Sequence, residues 1–261
     1  MKFWKKLSVS LAVAALGISA VAPSVSAASV NSELKNKGEL TIGLEGTYAP
    51  FSYRKDGKLT GFEVELGKAV AKKMGLKAKF VPTKWDSLIA GLGSGKFDVV
   101  MNDITPTPQR AKQYNYSEPY IQSHYVLIMK DNANFTSIKD VKGKKVAAGT
   151  GTDNEKIAKK FGAKTVPAAD FASGLDLVRQ GRVQAEVNSK EAWSIYAKKH
   201  DTKGLKMIDI SDDQKPAPIS AMFNKKTPAI ESAYNKALKE VQADGTVKKL
   251  SEKYFGTDIT E

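Results

Sequence analysis

The sequence contains no cysteine, and its 261 residues include only two histidines, His124 and His200. Without cysteine the chain cannot form a disulfide, a zinc–thiolate or iron–sulfur site, a thiol nucleophile or a cysteine-linked lipid. A histidine-rich metal centre or a Ser–His–Asp triad would have to be built from one of the two histidines. These absences exclude several classes of enzyme and metalloprotein, and we expect neither a cofactor nor a bound metal.

Long hydrophobic runs are scarce, and the one that stands out lies at the start of the chain. Three lysines within the first six residues precede an uncharged apolar run, residues 7–22, which is followed by small residues up to Ala27-Ala28. This order is typical of a secretory signal peptide. A membrane anchor is the alternative, although the run is somewhat shorter than the ~20 residues of a spanning helix. We expect residues 1–27 to be removed and the remaining protein to be secreted, periplasmic or associated with the cell surface, without a lipid anchor.

Acidic residues are outnumbered: 41 Lys+Arg against 28 Asp+Glu give a formal net charge of +13. The lysines form scattered pairs, such as Lys72-Lys73 and Lys198-Lys199. A solvated surface accounts for such a pattern, whereas a nucleic-acid footprint would require clustering on one element. We therefore expect no nucleic-acid partner.

Short β-rich runs alternate with helical patterns along the chain, which is typical of α/β proteins with parallel strands. Gly75 closes one helical pattern, and Asp244-Gly245 separates the last two. The predicted strands are 40–44, 97–101, 125–129 and 145–148, and the predicted helices are 62–74, 85–92, 155–161, 230–241 and 247–254, with a further helix starting at Thr107.

Two segments follow one pattern: a Val-Pro pair, a helix, a glycine with a basic residue, a strand and an asparagine. The first segment runs from Val81 to Asn102 and the second from Val166 to Asn188. Chance likeness between two helix–strand units is the plain alternative. We interpret the repeat as two lobes of similar build, with a ligand cleft between them at the carboxyl ends of the strands.

The segment after the strand 97–101 carries the strongest chemical signal. Thr107 is a good N-cap and Pro108 suits the first helical position, which places Arg110 in the first turn. A cation there opposes the helix dipole, so helix stability does not explain it. Because an arginine fork beside free helix N–H groups fits a carboxylate, Arg110 is a candidate carboxylate clamp. The alternative is a surface arginine paired with a nearby acid.

A glycine–threonine loop, residues 149–152, joins the strand 145–148 to the next helix. Thr152 and Glu155 match a capping box, and the glycines would let backbone N–H groups approach a ligand. A plain capped turn fits equally well. The loop matches neither a P-loop nor G-x-G-x-x-G, so no nucleotide site is predicted.

Three aromatic residues lie in or beside loops that follow predicted strands. Tyr48 and Phe51 follow the strand 40–44, and Trp85 opens the helix 85–92. Such residues can wall a ligand pocket, and packing in the core is the ordinary alternative for each.

Several segments occur together in one order: Glu45-Gly-Thr-Tyr48-Ala-Pro-Phe51, Gly61-Phe-Glu-Val-Glu-Leu66, Lys84-Trp-Asp86, Phe97-Asp-Val-Val100, Thr105-Pro-Thr-Pro-Gln-Arg110, Ser117-Glu-Pro-Tyr120 and Asp244-Gly-Thr246. Over roughly residues 36–257 this order resembles the polar-amino-acid-binding proteins of ABC importers, the bacterial extracellular solute-binding proteins of family 3. The first and third segments look most like the cystine-binding subgroup.

The resemblance implies an α/β, two-lobed periplasmic-binding-protein-like fold of type II, with a ligand cleft between lobes joined by two hinge strands. Lobe one would comprise residues 36–127 plus 223–261, and lobe two residues 128–222.

The resemblance also implies the site. The family's carboxylate clamp matches Arg110 and Thr105, and its second-lobe loop matches residues 150–152. Where family members usually hold the α-ammonium with an aspartate, this chain has Ser189, so Asp103 or Glu45 would have to supply the charge. The expected ligand-binding residues are Glu45, Tyr48, Phe51, Trp85, Asn102, Asp103, Thr105, Arg110, Thr150, Gly151, Thr152 and Ser189.

The function that this resemblance implies is delivery of an amino acid, cystine or another polar one, to an ABC permease in the membrane by a monomeric protein that closes around it. Two alternatives stay open: a ligand-sensing module that docks on a membrane receptor, and an enzyme of the cyclohexadienyl-dehydratase type. Since no catalytic dyad is evident, we expect no enzymatic activity. Partner capture from membranes and incubation with prephenate or arogenate would distinguish these alternatives.

Overall fold

The computed structural model describes residues 27–260. The predicted signal peptide, residues 1–27, lies outside the described residues except for Ala27. Within the described range, none of the helices combines the length and the apolar character that a bilayer span requires.

The strands and helices follow one another in α/β order. The strands are β1 (Glu39–Leu44), β2 (Tyr53–Lys55), β3 (Lys58–Thr60), β4 (Lys77–Pro82), β5 (Val99–Val100), β6 (Tyr114–Tyr116), β7 (Ile121–Ser123), β8 (Tyr125–Lys130), β9 (Lys145–Ala148), β10 (Lys164–Pro167), β11 (Ala185–Ser189), β12 (Leu205–Asp209), β13 (Ala217–Ile219) and β14 (Met222–Asn224). The helices are α1 (Ala27–Glu33), α2 (Phe62–Lys73), α3 (Trp85–Gly93), α4 (Pro108–Ala111), α5 (Asp153–Lys160), α6 (Phe171–Arg179), α7 (Lys190–Lys199), α8 (Pro228–Ala243) and α9 (Thr246–Phe255), with a 3₁₀ turn at Ile138–Val141.

Two five-stranded sheets organise these elements, in the orders β4-β1-β5-β14-β6 and β10-β9-β11-β8-β12. The first three strands of each sheet are parallel, and the remaining neighbours pair antiparallel. The two repeated segments occupy matching places, because β4 and β10 are edge strands that end in Val-Pro, and β5 and β11 are the third strands. An edge is where a strand tolerates proline. The α/β two-lobed fold expected from the sequence is therefore confirmed.

The two sheets are connected by the short antiparallel pair β7–β13, in which Ile121 faces Ile219 and Ser123 faces Ala217. The chain leaves the first sheet after β6, enters the second at β8 and returns to the first at β14. These two crossing strands are the hinge.

The lobe borders expected at 127/128 and 222/223 differ from the observed sheets. Tyr125 pairs with Ser189 and Leu127 with Val187, so residues 125–127 belong to the sheet of lobe two. Met222 pairs with Val100 in the sheet of lobe one. The borders lie earlier than expected because each strand begins to pair as soon as the chain leaves the hinge.

Lobe one packs α2, α8 and α9 on one face of its sheet. Its fully buried aromatic residues include Phe51, Phe62, Tyr120, Phe223 and Tyr234. Lobe two has smaller apolar clusters that contain Leu127 and Val126, neighbours whose side chains point to opposite faces of β8. Each lobe therefore has its own core.

Candidate functional site

A cavity lies between the lobes where the first-sheet strands β1 and β5 and the second-sheet strands β9 and β11 end. It holds about 790 Å³ of empty space, including its opening to solvent. The predicted site residues that line it are Glu45, Tyr48, Trp85, Asn102, Asp103, Thr105, Arg110 and Thr152. The predicted residues that do not line it are Phe51, Thr150, Gly151 and Ser189.

Arg110 reaches into this cavity from lobe one and contacts both lobes. Its Nη1 donates to the carbonyl oxygen of Thr105 at 3.3 Å, and its Nη2 donates to the carbonyl oxygen of Gly151 in lobe two at 2.7 Å. Its guanidinium carbon lies 5.4 Å from the centre of the Trp85 ring. A guanidinium has five N–H donors, so enough remain to bind a carboxylate in bidentate fashion.

The helix that carries Arg110 is short. Thr107 caps α4 as expected, accepting the N–H of Arg110 at 3.3 Å, but α4 has four residues. Arg110 is therefore one residue from the end of the helix and two from its start, and a helix dipole does not account for its placement. The contacts of its guanidinium with Thr105 and Gly151 account for its placement.

Asn102 fixes the side chain of Glu45 at the lobe-one wall. The amide oxygen of Asn102 accepts the backbone N–H of Glu45, and its Nδ2 donates to Glu45 Oε2, both at 2.8 Å. Burial raises the pKa of Glu45, the Asn102 hydrogen bond partly opposes this rise, and the charges of Asp170 and Asp86 add to it.

Asp103 adopts a left-handed backbone conformation with φ of 49°, which is uncommon outside glycine and is often found at functional sites. Its N–H donates to Glu63 Oε1 at 2.8 Å, and Tyr48 Oη lies 3.5 Å from its Oδ2. Its Oδ1 is buried without a hydrogen-bond partner among the described residues. Burial raises the pKa of Asp103 well above its ordinary value, the charges of Glu63 and Glu191 add to this rise, and hydrogen bonds with Ser123 and Tyr48 oppose it. A cation beside the carboxyl group would favour its ionised form.

The two lobes are hydrogen-bonded to each other across the cavity. Tyr48 Oη donates to Asn188 Oδ1 at 2.7 Å, and Trp85 Nε1 donates to the carbonyl oxygen of Thr150 at 2.9 Å. Together with the bond from Arg110 to Gly151, these contacts require the lobes to be close together. The structure therefore shows a closed arrangement.

The glycine–threonine loop meets lobe one through its carbonyl groups. Thr152 caps α5 by accepting the N–H of Glu155 at 3.1 Å and donates to the carbonyl oxygen of Gly149 at 2.7 Å. The Glu155 carboxylate accepts the N–H of Gly151 at 2.7 Å rather than that of Thr152, so the capping box is incomplete. The N–H of Gly151 is thus turned toward Glu155 and away from the cavity.

Ser189 is the N-cap of α7 and is 2% exposed. Its Oγ accepts the N–H of Ala192 at 3.1 Å and lies 3.3 Å from Tyr48 Oη. The hydroxyl therefore lies behind Tyr48, and its partners are the N–H at the start of α7 and the tyrosine hydroxyl.

Phe51 was expected at the ligand, but the structure places it in the core of lobe one. It is fully buried and packs between Tyr48 and Phe255, with ring centres 5.2 and 5.5 Å away. Tyr48 stands between Phe51 and the cavity. Phe51 thus supports the cavity wall without reaching the cavity.

Lobe two contributes residues that the sequence analysis did not select. Asn188 could have been found, because it ends the second repeated segment as Asn102 ends the first. Glu186 has no such signal, since a buried acid inside a strand matches no motif. The further lining residues are Thr47, Ser123, Tyr125, Gly149, Asp153, Asn154, Ala168, Ala169, Asp170, Phe171, Glu186 and Asn188. In the part of the chain that the structure describes, no group of three or more His, Asp or Glu is placed to hold a metal ion.

The family model for the bacterial extracellular solute-binding proteins, family 3, matches residues 40–257. The chain belongs to this family. Among family relatives, it is 40% identical over 224 residues to a probable amino-acid ABC transporter-binding protein of Haemophilus influenzae, covering 85% of this chain and 86% of the relative.

Two solved structures of solute-binding proteins differ in how well they match. An ancestral arginine-binding protein bound to arginine is 35% identical, with a TM-score of 0.76 and coverage of 84% of this chain and 99% of that one. The L-cystine solute receptor of Neisseria gonorrhoeae in its unliganded open conformation is 40% identical, with a TM-score of 0.59 and coverage of 89% and 97%. The more similar sequence has the less similar shape, as expected when an open pair of lobes is compared with a closed one.

Glu63, which holds the backbone of Asp103, is expected to make stability depend on pH. Burial raises its pKa from 4.5 to about 7, opposed by hydrogen bonds from Tyr120 and the Asp103 backbone. Between these pH values the folded protein binds more protons at Glu63 than the unfolded chain does, so stability falls as pH rises from 4.5 to 7 and is level above 7. The contribution is about 3 kcal/mol, at about 1.4 kcal/mol per pKa unit.

The variant Glu63→Gln keeps a hydrogen-bond acceptor but cannot ionise. Urea unfolding at pH 4.5, 5.5, 6.5 and 7.5 should give a shallower fall in the free energy of unfolding for this variant than for the parent protein. Glu231→Gln, which replaces a glutamate that accepts a hydrogen bond from Asn115, should follow the parent profile. Parallel profiles for Glu63→Gln and the parent would contradict this assignment.

Proposed function

We propose that the protein binds one amino acid reversibly in the cleft between its lobes and delivers it to an ABC importer as the extracellular solute-binding component. Membership of the solute-binding family supports this function, and so does the relative described as an amino-acid ABC transporter-binding protein. The observation that carries the proposal is the position of the Arg110 guanidinium, which lies in the cavity between the lobes and contacts both of them.

The charges inside the cavity suit a zwitterion. Arg110 offers N–H donors for an α-carboxylate, with Thr105 beside it. Asp103 Oδ1, buried and without a partner among the described residues, suits an α-ammonium. Asp103 would thereby replace the aspartate that family members usually have at the position of Ser189. A buried charge is stable only when it is paired, so each group favours a ligand that brings the opposite charge.

Closure of the lobes is the proposed mechanical step. Contacts from Tyr48 to Asn188, from Trp85 to Thr150 and from Arg110 to Gly151 form only when the lobes meet. A ligand held by both lobes favours the same state, because only the closed form makes all of its contacts. We propose that a membrane permease recognises this closed shape, that the protein acts outside the cytoplasm, and that it does so as a monomer.

A thermal-shift screen over the twenty amino acids, L-cystine and simple carboxylates tests this function. A ligand at 100 times its Kd adds about 2.7 kcal/mol to the stability of the folded state. In a chain of this size that gain corresponds to a rise in Tm of roughly 5–10 °C. We expect such a rise for one or a few polar amino acids. A screen in which no amino acid raises the Tm, while another class of solute does, would contradict the proposal.

A further inference from the structure

More acidic side chains line the cavity than the single α-ammonium of an ordinary amino acid requires. One guanidinium, Arg110, faces carboxyl groups from both lobes in a chain whose formal net charge is +13. The acidic side chains that line the cavity are Glu45, Asp103, Asp153, Asp170 and Glu186. With the α-ammonium assigned to Asp103, several carboxyl groups are left for another part of the ligand.

Glu186 is the most unusual of these acids. It lies on β11 with 1% of its surface exposed and still lines the cavity. Its Oε1 accepts a hydrogen bond from Asn188 Nδ2 at 3.1 Å, whereas its Oε2 is buried without a hydrogen-bond partner among the described residues. Leaving a buried carboxyl oxygen without a hydrogen-bond partner costs folding free energy. A cationic group that enters the cavity could donate a hydrogen bond to this oxygen.

The fold makes room for this carboxyl group. A Cβ atom at Gly174 of α6 would lie 2.5 Å from Glu186 Oε1 and 2.7 Å from Glu186 Oε2. A side chain at residue 174 would therefore force the Glu186 carboxyl group to move. The lack of a side chain at Gly174 leaves the space that the Glu186 carboxyl group occupies.

Glu45 and Asp170 complete an acidic end of the cavity. Burial raises the pKa of Glu186 well above its ordinary value, and the charge of Asp170 contributes to the rise for Glu186 and for Glu45 alike. Arg110 has other electrostatic neighbours, namely Tyr116, Asp153 and Tyr125. Glu45, Asp170 and Glu186 line the same cavity, and the charge of Asp170 acts on the other two, so we call these three residues the acidic end of the cavity.

We propose that the acidic end formed by Glu186, Asp170 and Glu45 is a subsite for a second cationic group of the ligand. The ligand is then an amino acid that carries a distal ammonium or guanidinium in addition to its α-ammonium. This inference rests on the proposed function, because it requires the α-carboxylate to lie at Arg110 and the α-ammonium at Asp103.

Two pairs of compounds test the subsite, since the members of each pair differ in the distal cation. L-Arginine and L-citrulline differ in charge at nearly the same shape, and L-cystine differs from S-methylthio-L-cysteine by its second amino-acid headgroup. Isothermal titration calorimetry is done with the parent protein, with Glu186→Gln and with Glu231→Gln. The last is a matched control, because Glu231 also accepts a hydrogen bond from an asparagine amide but does not line the cavity.

For at least one pair, we expect the parent protein and Glu231→Gln to bind the member with the distal cation at least tenfold more tightly than its partner. Glu186→Gln should lower this ratio at least tenfold, because it removes the carboxyl group that the distal cation would contact. If Glu186→Gln does not fold, Asp170→Asn, at an exposed residue of the same end, should lower the ratio in the same direction.

Three results would overturn the inference. Equal binding of both members of both pairs by the parent protein would reject a second cation, although the proposed function would survive. An unchanged ratio in Glu186→Gln, or in Asp170→Asn where Glu186→Gln does not fold, would reject the acidic end as the subsite. If no amino acid binds the parent protein at all, the proposed function fails and the subsite fails with it.

Discussion

The variant Arg110→Ala is expected to lose about 2–5 kcal/mol of amino-acid binding free energy, because it leaves the ligand carboxylate buried without its charged partner. This loss corresponds to a rise in Kd from about thirtyfold to several thousandfold. The cores of the two lobes do not depend on Arg110, whose partners are backbone carbonyl groups and the Trp85 ring. Calorimetric titration should therefore show weaker binding, and circular dichroism an unchanged fold.

Arg179→Ala is a matched control for this experiment. The guanidinium of Arg179 also lies over an aromatic ring, 5.7 Å from the centre of Tyr196, and also donates to a backbone carbonyl group, that of Asp201 at 2.7 Å. Arg179 does not line the cavity, so its removal should leave the affinity unchanged. If Arg110→Ala binds as tightly as Arg179→Ala, then Arg110 is not the carboxylate clamp.

The variant Phe51→Ala is expected to cost about 3–5 kcal/mol of folding stability, which is the usual range for truncating a buried phenylalanine. The ring is fully buried and packs against Tyr48 and Phe255, so its loss leaves a cavity that the strands and helices of lobe one cannot close. Guanidinium chloride unfolding should show an earlier midpoint with an unchanged slope.

A milder substitution separates a core role from a ligand contact at the same residue. Phe51→Leu keeps an apolar side chain in the core and should lose part of the stability without changing the affinity for amino acids. If the Phe51→Leu protein is as stable as the parent but binds amino acids tenfold more weakly, Phe51 contacts the ligand and its assignment to the core is wrong.

Helix ends and lobes could be predicted from the sequence because they depend on local signals. Gly75 and Asp244-Gly245 stop the helical patterns, and α2 and α8 end within two residues of those positions. The repeated Val-Pro and Asn signals predicted two similar lobes. In the structure, the strands of the two repeated segments occupy the same positions in the two sheets. Such features need only the neighbours of a residue along the chain.

The candidate site was predicted less completely, since it depends on contacts between distant residues. The cap formed by Thr107 and Pro108 drew attention to Arg110, yet the carbonyl group of Gly151 that holds its guanidinium belongs to the other lobe. Tyr48 and Phe51 lie three residues apart in one loop, and no local pattern indicates that Tyr48 faces the cleft while Phe51 faces the core. Glu186 becomes notable only beside Gly174, twelve residues earlier, because the helix–strand contact that shelters its carboxyl group exists only in the folded protein.

The most direct test of the account is a crystal structure of the protein with the amino acid that gives the largest thermal shift. The account predicts that the ligand lies in the cleft between the two sheets, with its α-carboxylate oxygens about 2.7–3.2 Å from the guanidinium nitrogens of Arg110. A ligand bound outside this cleft, or one whose carboxylate points away from Arg110, would contradict it.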